Sequence, residues 1–364
     1  MDLDTLRDGR LRAHRLSDPA DDVIAAATHL TATQAQEFWG GRWALGVRAA
    51  GEPTLREVDA AFDDGLLVRS GTQRGTLHIV RPADLGWILS LTEERQMRQY
   101  AAIFRDLGID DALLARAEAT ARAALRGGNR LTRTEFGEVL AAAGIDPGGM
   151  RGSRVVSALS LRAVLVLGPV VHRQDAPARE QYLVLADEWI TDAAAPPDPL
   201  AELFVRYLRG HGPAGIADFR WWAGLPLGVA RAARERAGDR VAEVDDGLFV
   251  EDAAVQAPPE PSASPLPTPP VLALPGWDEY FLSYADRAYS CLPERFADVG
   301  PTLNGLVRPV LVERGEVIGT WTHSMAVGRR HLDPTPALFS PRADAASVAD
   351  ALARFAAFVR AWAG

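Results

Sequence analysis

Residues 54–80 read TLREVDAAFDDGLLVRSGTQRGTLHIV, and the fold turns on what this stretch becomes. Thr54 followed three residues later by Glu57 is a capping-box pattern, which predicts a helix running through Phe62. Gly65 ends it. Leu66–Arg69 and Thr76–Val80 then read as two strands around residues 71–75. Upstream, Phe38–Val47 reads as another helix, with Trp39, Trp43 and Leu45 available for a core, and Glu52-Pro53 breaks it. Helix, turn, helix and hairpin is the order of a winged helix.

Working outward, the same order recurs twice. Residues 84–126 read as two helices separated by Leu107-Gly108. Thr132 and Glu135 form a second capping box opening a helix to Ala143, Gly148-Gly149 turns, and Ser153–Ala163 reads as a recognition helix carrying Arg154 and Arg162. Val164–Val171 and Tyr182–Ala186 then form a hairpin with a polar tip at residues 173–177. A third set runs from the amphipathic Leu200–Leu208, through a helix carrying Phe219, Trp221 and Trp222, to a helix over Gly228–Arg236 and a short hairpin, Val241–Val244 with Leu248–Val250. Spaced repetition of one local plan argues for tandem units. Residues 2–32 read as helical.

Residues 256–270 contain seven prolines, from Pro258 to Pro270, and predict a linker or extended loop. Leu306–Leu311, Glu316–Trp321 and Ser324–Val327 suggest a small β-barrel with Arg314-Gly315 as a hairpin turn. Ala345–Trp362 reads as a final helix with Val348, Leu352, Phe355, Phe358 and Val359 on its apolar face. The expected class is therefore α+β, mainly α: three tandem winged-helix units with a C-terminal β-barrel and a final helix. The boundaries are 1–127, 128–195 and 196–256 for the winged helices, 257–271 for the linker, 272–335 for the barrel and 340–364 for the last helix.

Composition narrows the chemistry. Of 364 residues, 48% are hydrophobic and 24% charged, ordinary for a globular protein. No apolar run reaches the roughly 18 residues needed to span a bilayer, and the acidic N-terminus is no signal peptide, so a cytoplasmic, nucleoid-associated monomer without a membrane is expected. The single cysteine, Cys291, excludes internal disulfides and CxxC zinc sites. The seven histidines lack HxxxH or HExxH spacing, so neither a metal nor another cofactor is expected. All 39 basic residues are arginine. Without lysine, no side chain can form a Schiff base or complete a Walker phosphate loop. The net charge of −9 argues mildly against a nucleic-acid partner. Its distribution argues the other way, because residues 65–82 and 147–173 carry arginines and no acid.

One short stretch has no counterpart in the other repeats: Thr33-Gln34-Ala35-Gln36-Glu37. Positions i and i+2 do not share a helix face, but on an extended segment they project to one side. That would aim two neutral amides, each donor and acceptor, at one point. Taken alone, the triplet reads as solvated surface, with a functional role as the lesser alternative.

The chain as a whole resembles the AlkZ/YcaQ winged-helix DNA glycosylases. The resemblance rests on Leu11-Arg12-Ala13-His14-Arg15-Leu16, Gln34-Ala35-Gln36, Arg74-Gly75-Thr76-Leu77-His78, residues 183–189, residues 212–219, Leu274-Pro275-Gly276-Trp277-Asp278 and residues 317–321, in order along nearly the whole chain. Trp277 departs from the family's more frequent Phe, which touches packing, and the proline-rich segment is longer than usual. The resemblance implies a Gln-x-Gln catalytic motif, here Gln34 and Gln36, and base excision from double-stranded DNA carrying alkylated bases. It further implies that the three winged helices and the barrel surround a concave DNA channel. With no lysine for a Schiff base, the expected enzyme is monofunctional, hydrolysing the N-glycosidic bond of N7- or N3-alkylated cationic purines, with interstrand crosslinks or bulky adducts within its range.

Arg74, Arg154 and Arg162 are candidate phosphate ligands, though each also reads as an ordinary surface arginine. His78 reads either as a channel-side contact on the first hairpin or as a packed, hydrogen-bonded histidine. Trp221 and Trp222 read as core, with base stacking as the alternative. Two rival functions stay open: a winged-helix transcription regulator, which would bind DNA without chemistry and would have no need of the glutamine pair, and a catalytically silent damage-binding protein.

Overall fold

The computed structural model describes residues 1–173, 176–252, 270–323, 333–340 and 343–360. The chain divides into two compact units, residues 1–58 with 175–177 and 200–364, and residues 59–174 with 178–199. The helix Leu55–Asp63 carries the chain from one to the other.

In the second unit both expected hairpins form, and they share a sheet. Val68–Gln73 pairs antiparallel with Thr76–Val80, Leu165–Val170 pairs with Gln181–Leu185, and Arg69 opposite Leu167 joins the two hairpins. The first hairpin turns through Arg74 and Gly75, whose φ values of 54° and 71° suit the two-residue turn that matches strand twist. Glycine takes that conformation without steric cost. The helices Pro82–Asp106, Asp111–Leu125, Arg133–Ala142 and Arg151–Leu161 belong to the same unit. Their apolar stripes meet the sheet in one core, with Phe104, Leu114, Ala117, Phe136, Leu140, Val155 and Leu159 packed against Leu165, Leu167, Leu183 and Leu185. The capping box at Thr132 is complete: the Thr132 hydroxyl accepts from the Glu135 N–H, and the Glu135 carboxylate accepts from the Thr132 N–H at 2.7 Å. Asp63 accepts from the Val170 N–H at 2.9 Å and lies 2.7 Å from His172.

The first unit contains two cores. One surrounds the C-terminal strands, an antiparallel sheet in the order 335–338, 316–322, 310–313, 271–274. The helices Ala345–Arg360 and Phe38–Gly46 pack with it through Trp43, Trp321, Phe355 and Phe358. Each indole finds a carbonyl on the 271–274 strand, Trp43 on Ala273 at 2.7 Å and Trp321 on Leu274 at 2.9 Å. That satisfies the polar edge of a ring which is otherwise buried. The sheet is open among the described residues, and the expected strand Ser324–Val327 lies outside them, as does most of the proline-rich segment. The strand expected over Leu306–Leu311 is confined to Val310–Glu313, because residues ahead of it are spent on the turn around Gly305. The helix expected over residues 2–32 is broken into Leu3–Ala13 and Val23–Leu30, the latter restarted by Asp22, whose carboxylate accepts from the Ala25 N–H.

The other core is aromatic and polar. It is built from Pro199–His211, Ile216–Ala223 and Leu3–Ala13 together with residues 278–291, and holds Phe204, Tyr207, Phe219, Trp222, Tyr280 and Tyr284. Tyr284 donates to the His211 carbonyl at 2.7 Å, and His14 Nε2 lies 2.9 Å from the Tyr284 oxygen. Because the phenol has spent its only proton, His14 donates from Nε2. Arg10 covers the Tyr284 and Tyr289 rings at 3.8 and 4.1 Å.

Burial keeps two histidines of this unit neutral. His14 titrates well below the usual imidazole value, and His29, whose ring nitrogen meets the Ala13 carbonyl at 2.7 Å, is lowered to about 4. Below about pH 6.5 the unfolded chain takes up protons that the folded chain refuses. Their contribution to stability is therefore complete above that pH and is lost as the pH falls toward 4, at up to ~1.4 kcal/mol per pH unit for each group. Thermal unfolding followed from neutral to mildly acid pH should show a shallower fall in Tm for His29→Gln than for the parent; parallel curves would remove His29 from the account.

Candidate active site

The glutamine triplet sits in the first unit, between two helices. The helix Val23–Leu30 stops at Thr31, whose φ of 68° turns the chain sharply. Thr33–Gln34 is then a two-residue strand, and Glu37, still extended with φ −92° and ψ 117°, precedes the helix Phe38–Gly46. The sequence folds this way because the Gly40-Gly41 pair, both buried, and the large Trp43 let that helix pack tightly on the core. The strand ends at Gln34 and the chain bends at Gln36, so the extended backbone expected across the triplet reaches only its first residue; Gln34 is 6% exposed, whereas Gln36 is exposed. The Gln34 side chain folds over the triplet, its Oε1 accepting from the Gln36 N–H at 3.3 Å. A carboxamide oxygen has a second lone pair, so this bond leaves acceptor capacity at Gln34.

Two consecutive acids hold the stretch from below. The Gln34 N–H donates to Glu279 Oε1 at 2.8 Å. Glu279 Oε2 accepts from the Trp222 indole at 3.0 Å and from the Ser283 hydroxyl, and His211 Nε2 lies 3.4 Å away. Asp278 takes the Arg48 guanidinium in a two-pronged pair, 2.9 and 2.7 Å, with both side chains fully buried. It also accepts from the Tyr280 N–H at 2.9 Å. Arg48 closes the far end of the segment that Gln34 opens, so the two acids grip the segment at both ends. The chain reaches them through a tight turn. Trp277 has φ 57°, and at Gly276 a Cβ would lie 2.6 Å from the Val307 carbonyl oxygen. The Trp277 indole donates to the Gly305 carbonyl at 2.8 Å.

Beneath the carboxylates, burial keeps His14 and the phenols of Tyr207 and Tyr284 uncharged at neutral pH. Burial pushes the phenols of Tyr207 and Tyr284 well above their ordinary value and His14 well below its own. The Tyr207 hydroxyl donates to the Ser283 carbonyl at 3.1 Å, and its ring stacks on His211 at 4.8 Å. Among the described residues no three His, Cys, Asp or Glu side chains are grouped as metal ligands. No helix among them is long and apolar enough to cross a membrane.

The other residues singled out by sequence lie in the second unit. The Arg154 guanidinium lies over the Tyr100 ring at 5.1 Å, and the Tyr100 hydroxyl donates to the carbonyl of Gly75, the residue after Arg74 in the first hairpin turn. Gln96 accepts from the Gly75 N–H at 3.0 Å and completes the collar around the turn. Arg162 is elsewhere, capping the helix Arg151–Leu161 and paired with Asp111 at 3.1 Å. His78 is fully buried, its Nδ1 3.1 Å from the Thr76 carbonyl, which is the packed arrangement and not an exposed contact. Trp222 is core, but Trp221 is 44% exposed, its indole donating to the Leu282 carbonyl. Sequence reasoning passed over Glu279, Ser283, Arg48 and His211. The one local signal was an Asp-Glu pair set between Trp277 and Tyr280, where a purely apolar or purely solvated stretch would not place it.

Comparison with known proteins adds the lineage. A family model described as DNA glycosylase AlkZ-like matches residues 27–358. A curated relative from Streptomyces sahachiroi, named an interstrand DNA cross-link repair glycosylase, is 26% identical over 320 residues, covering 84% of this chain and 83% of its own. The solved structure of Streptomyces sahachiroi DNA glycosylase AlkZ superimposes with a TM-score of 0.77 at 23% identity, over 99% of this chain and 97% of that one. At that identity the superposition speaks for the fold alone, whereas the family match spans far more than half of the sequence. The chain belongs to the AlkZ-like DNA glycosylase family.

Proposed function

We propose that this DNA glycosylase is monofunctional and hydrolyses the glycosidic bond of N7- or N3-alkylated purines, with Gln34 and Gln36 as its catalytic pair. The observation that carries the reading is the arrangement of the triplet, with Gln34 buried and turned onto the Gln36 backbone while Gln36 is exposed. Such a substrate needs little acid help. An alkylated purine already carries positive charge, so the glycosidic electron pair departs onto the base and neutralises it. Attack of water on C1′ forms the new C–O bond, and the water's proton passes to solvent. What the protein must do is orient the water and favour an oxocarbenium-like sugar, which amide oxygens do through their dipoles. A neutral pair is too weak to expel an unmodified base, and selectivity for cationic lesions follows.

The curated relative is named for interstrand crosslink repair, and we extend that substrate class to this chain as part of the proposal. In the same reading the helix and hairpin sets are winged helices, the C-terminal strands belong to a barrel, and Arg74 and Arg154 contribute phosphate contacts. The partner is double-stranded DNA. A transcription regulator is disfavoured by the family assignment, and a regulator has no use for the triplet.

Two measurements test the proposal. Under single turnover with N7-methylguanine DNA, Gln36→Ala should lose excision by a factor on the order of 10² or more; excision at the parental rate would sink the assignment. Because the chain contains no lysine, borohydride should trap no adduct through an internal side chain, and the product should be an intact strand with an abasic site. Strand nicking with a trapped internal adduct would contradict it.

A further inference from the structure

We infer that Glu279 is a positioning residue for base excision: its buried carboxylate fixes the backbone of the glutamine triplet and thereby the aim of Gln34. The inference rests on the reading of Gln34 and Gln36 as the catalytic pair.

Its ground is the way Glu279 is satisfied. The side chain is fully buried, where a carboxylate is costly unless donors surround it. Two donors come from the core of the unit, the Trp222 indole at 3.0 Å and the Ser283 hydroxyl, with His211 Nε2 at 3.4 Å. Another donor is the Gln34 N–H at 2.8 Å. The core thus holds one carboxylate oxygen, and the other reaches up to the triplet. A charge-assisted bond of this kind is roughly twice as strong as a neutral one. It fixes the position from which the Gln34 side chain turns to accept the Gln36 N–H. Arg48 and Asp278 anchor the far end of the segment independently. Loss of the Glu279 bond should therefore let the triplet wander without releasing the helix Phe38–Gly46.

Glu279→Gln keeps the size of the side chain but replaces one acceptor oxygen with a donor, which cannot face both the Gln34 N–H and the core donors. Three quantities are measured for the full chain: the single-turnover excision rate on N7-methylguanine DNA, the dissociation constant for a duplex containing a stable abasic analogue, and the thermal unfolding transition. The excision rate should fall on the order of 10²-fold, the cost of misplacing a catalytic group by about an ångström. Affinity should stay within about twofold and unfolding should remain cooperative, a split that general loss of structure would not produce. Because Glu279 acts through the triplet, the double variant Gln34→Ala with Glu279→Gln should lose less than the product of the two single losses.

A folded Glu279→Gln protein at the parental rate, alongside inactive Gln34→Ala and Gln36→Ala, overturns the inference and leaves the catalytic pair standing. Additive losses in the double variant overturn it too. Parental rates for both glutamine variants overturn the catalytic pair and this inference together. Should Glu279→Gln fail to fold, Ser283→Ala removes one donor and keeps the carboxylate. Its rate should fall several-fold, roughly 3–10, with the same lack of additivity toward Gln34→Ala, and an unchanged rate overturns the inference.

Discussion

Two neighbouring carboxylates in the interior of the first unit set the terms for everything around them. Asp278 and Glu279 are both fully buried, and a buried acid must be given donors or a counter-charge. Asp278 receives a guanidinium and Glu279 receives N–H and O–H groups. Removing any one partner would leave a charge stranded in a low-dielectric interior, which is far costlier than the pair itself is stabilising. The surrounding elements are consequently committed to one arrangement: the helices of Trp222 and His211, the turn through Trp277, and the segment from Gln34 to Arg48.

That commitment explains how a site made of neutral amides can be precise. Glutamine side chains have three rotatable bonds and make no strong electrostatic demand on their surroundings. Gln34 is ordered instead by burial and by bonds at two of its atoms, its N–H to Glu279 and its Oε1 to the Gln36 N–H. The aromatic layer below, with His14 neutral and the phenols protonated, adds hydrogen bonds, and Arg10 over Tyr284 and Tyr289 is the cation of that layer.

Local chemistry was the readable part of the sequence. The Thr132 capping box, the Arg314-Gly315 turn and most helix spans rest on residues within four positions of one another, and they are found where the pattern puts them, whereas the first hairpin's strand, expected over Leu66–Arg69, runs on to Gln73 and leaves only Arg74-Gly75 to turn. The triplet stood out for the same reason, since alternation in an extended segment is a local property. What could not be read was set by partners far along the chain. Nothing near Arg69 tells that its strand will meet Leu167, which joins two hairpins into one sheet. Nothing near Gln34 names Glu279, 245 positions away. Arg154 and Arg162 look alike on a helix, yet one lies over a tyrosine and the other pairs with an aspartate. His78 offered two readings that only burial could separate.

The double grip on residues 34–48 also acts as a ruler. One acid holds its first residue and the adjacent acid its last, so the contour between them is tied to the spacing of two consecutive side chains. A residue inserted or deleted inside the segment would leave one carboxylate without its donor, whatever its effect on the helix itself. Change of length is therefore confined to the flanks, before Gln34 or after Arg48. Transplanting the triplet into another scaffold would mean carrying across the acid pair and its spacing along with the glutamines.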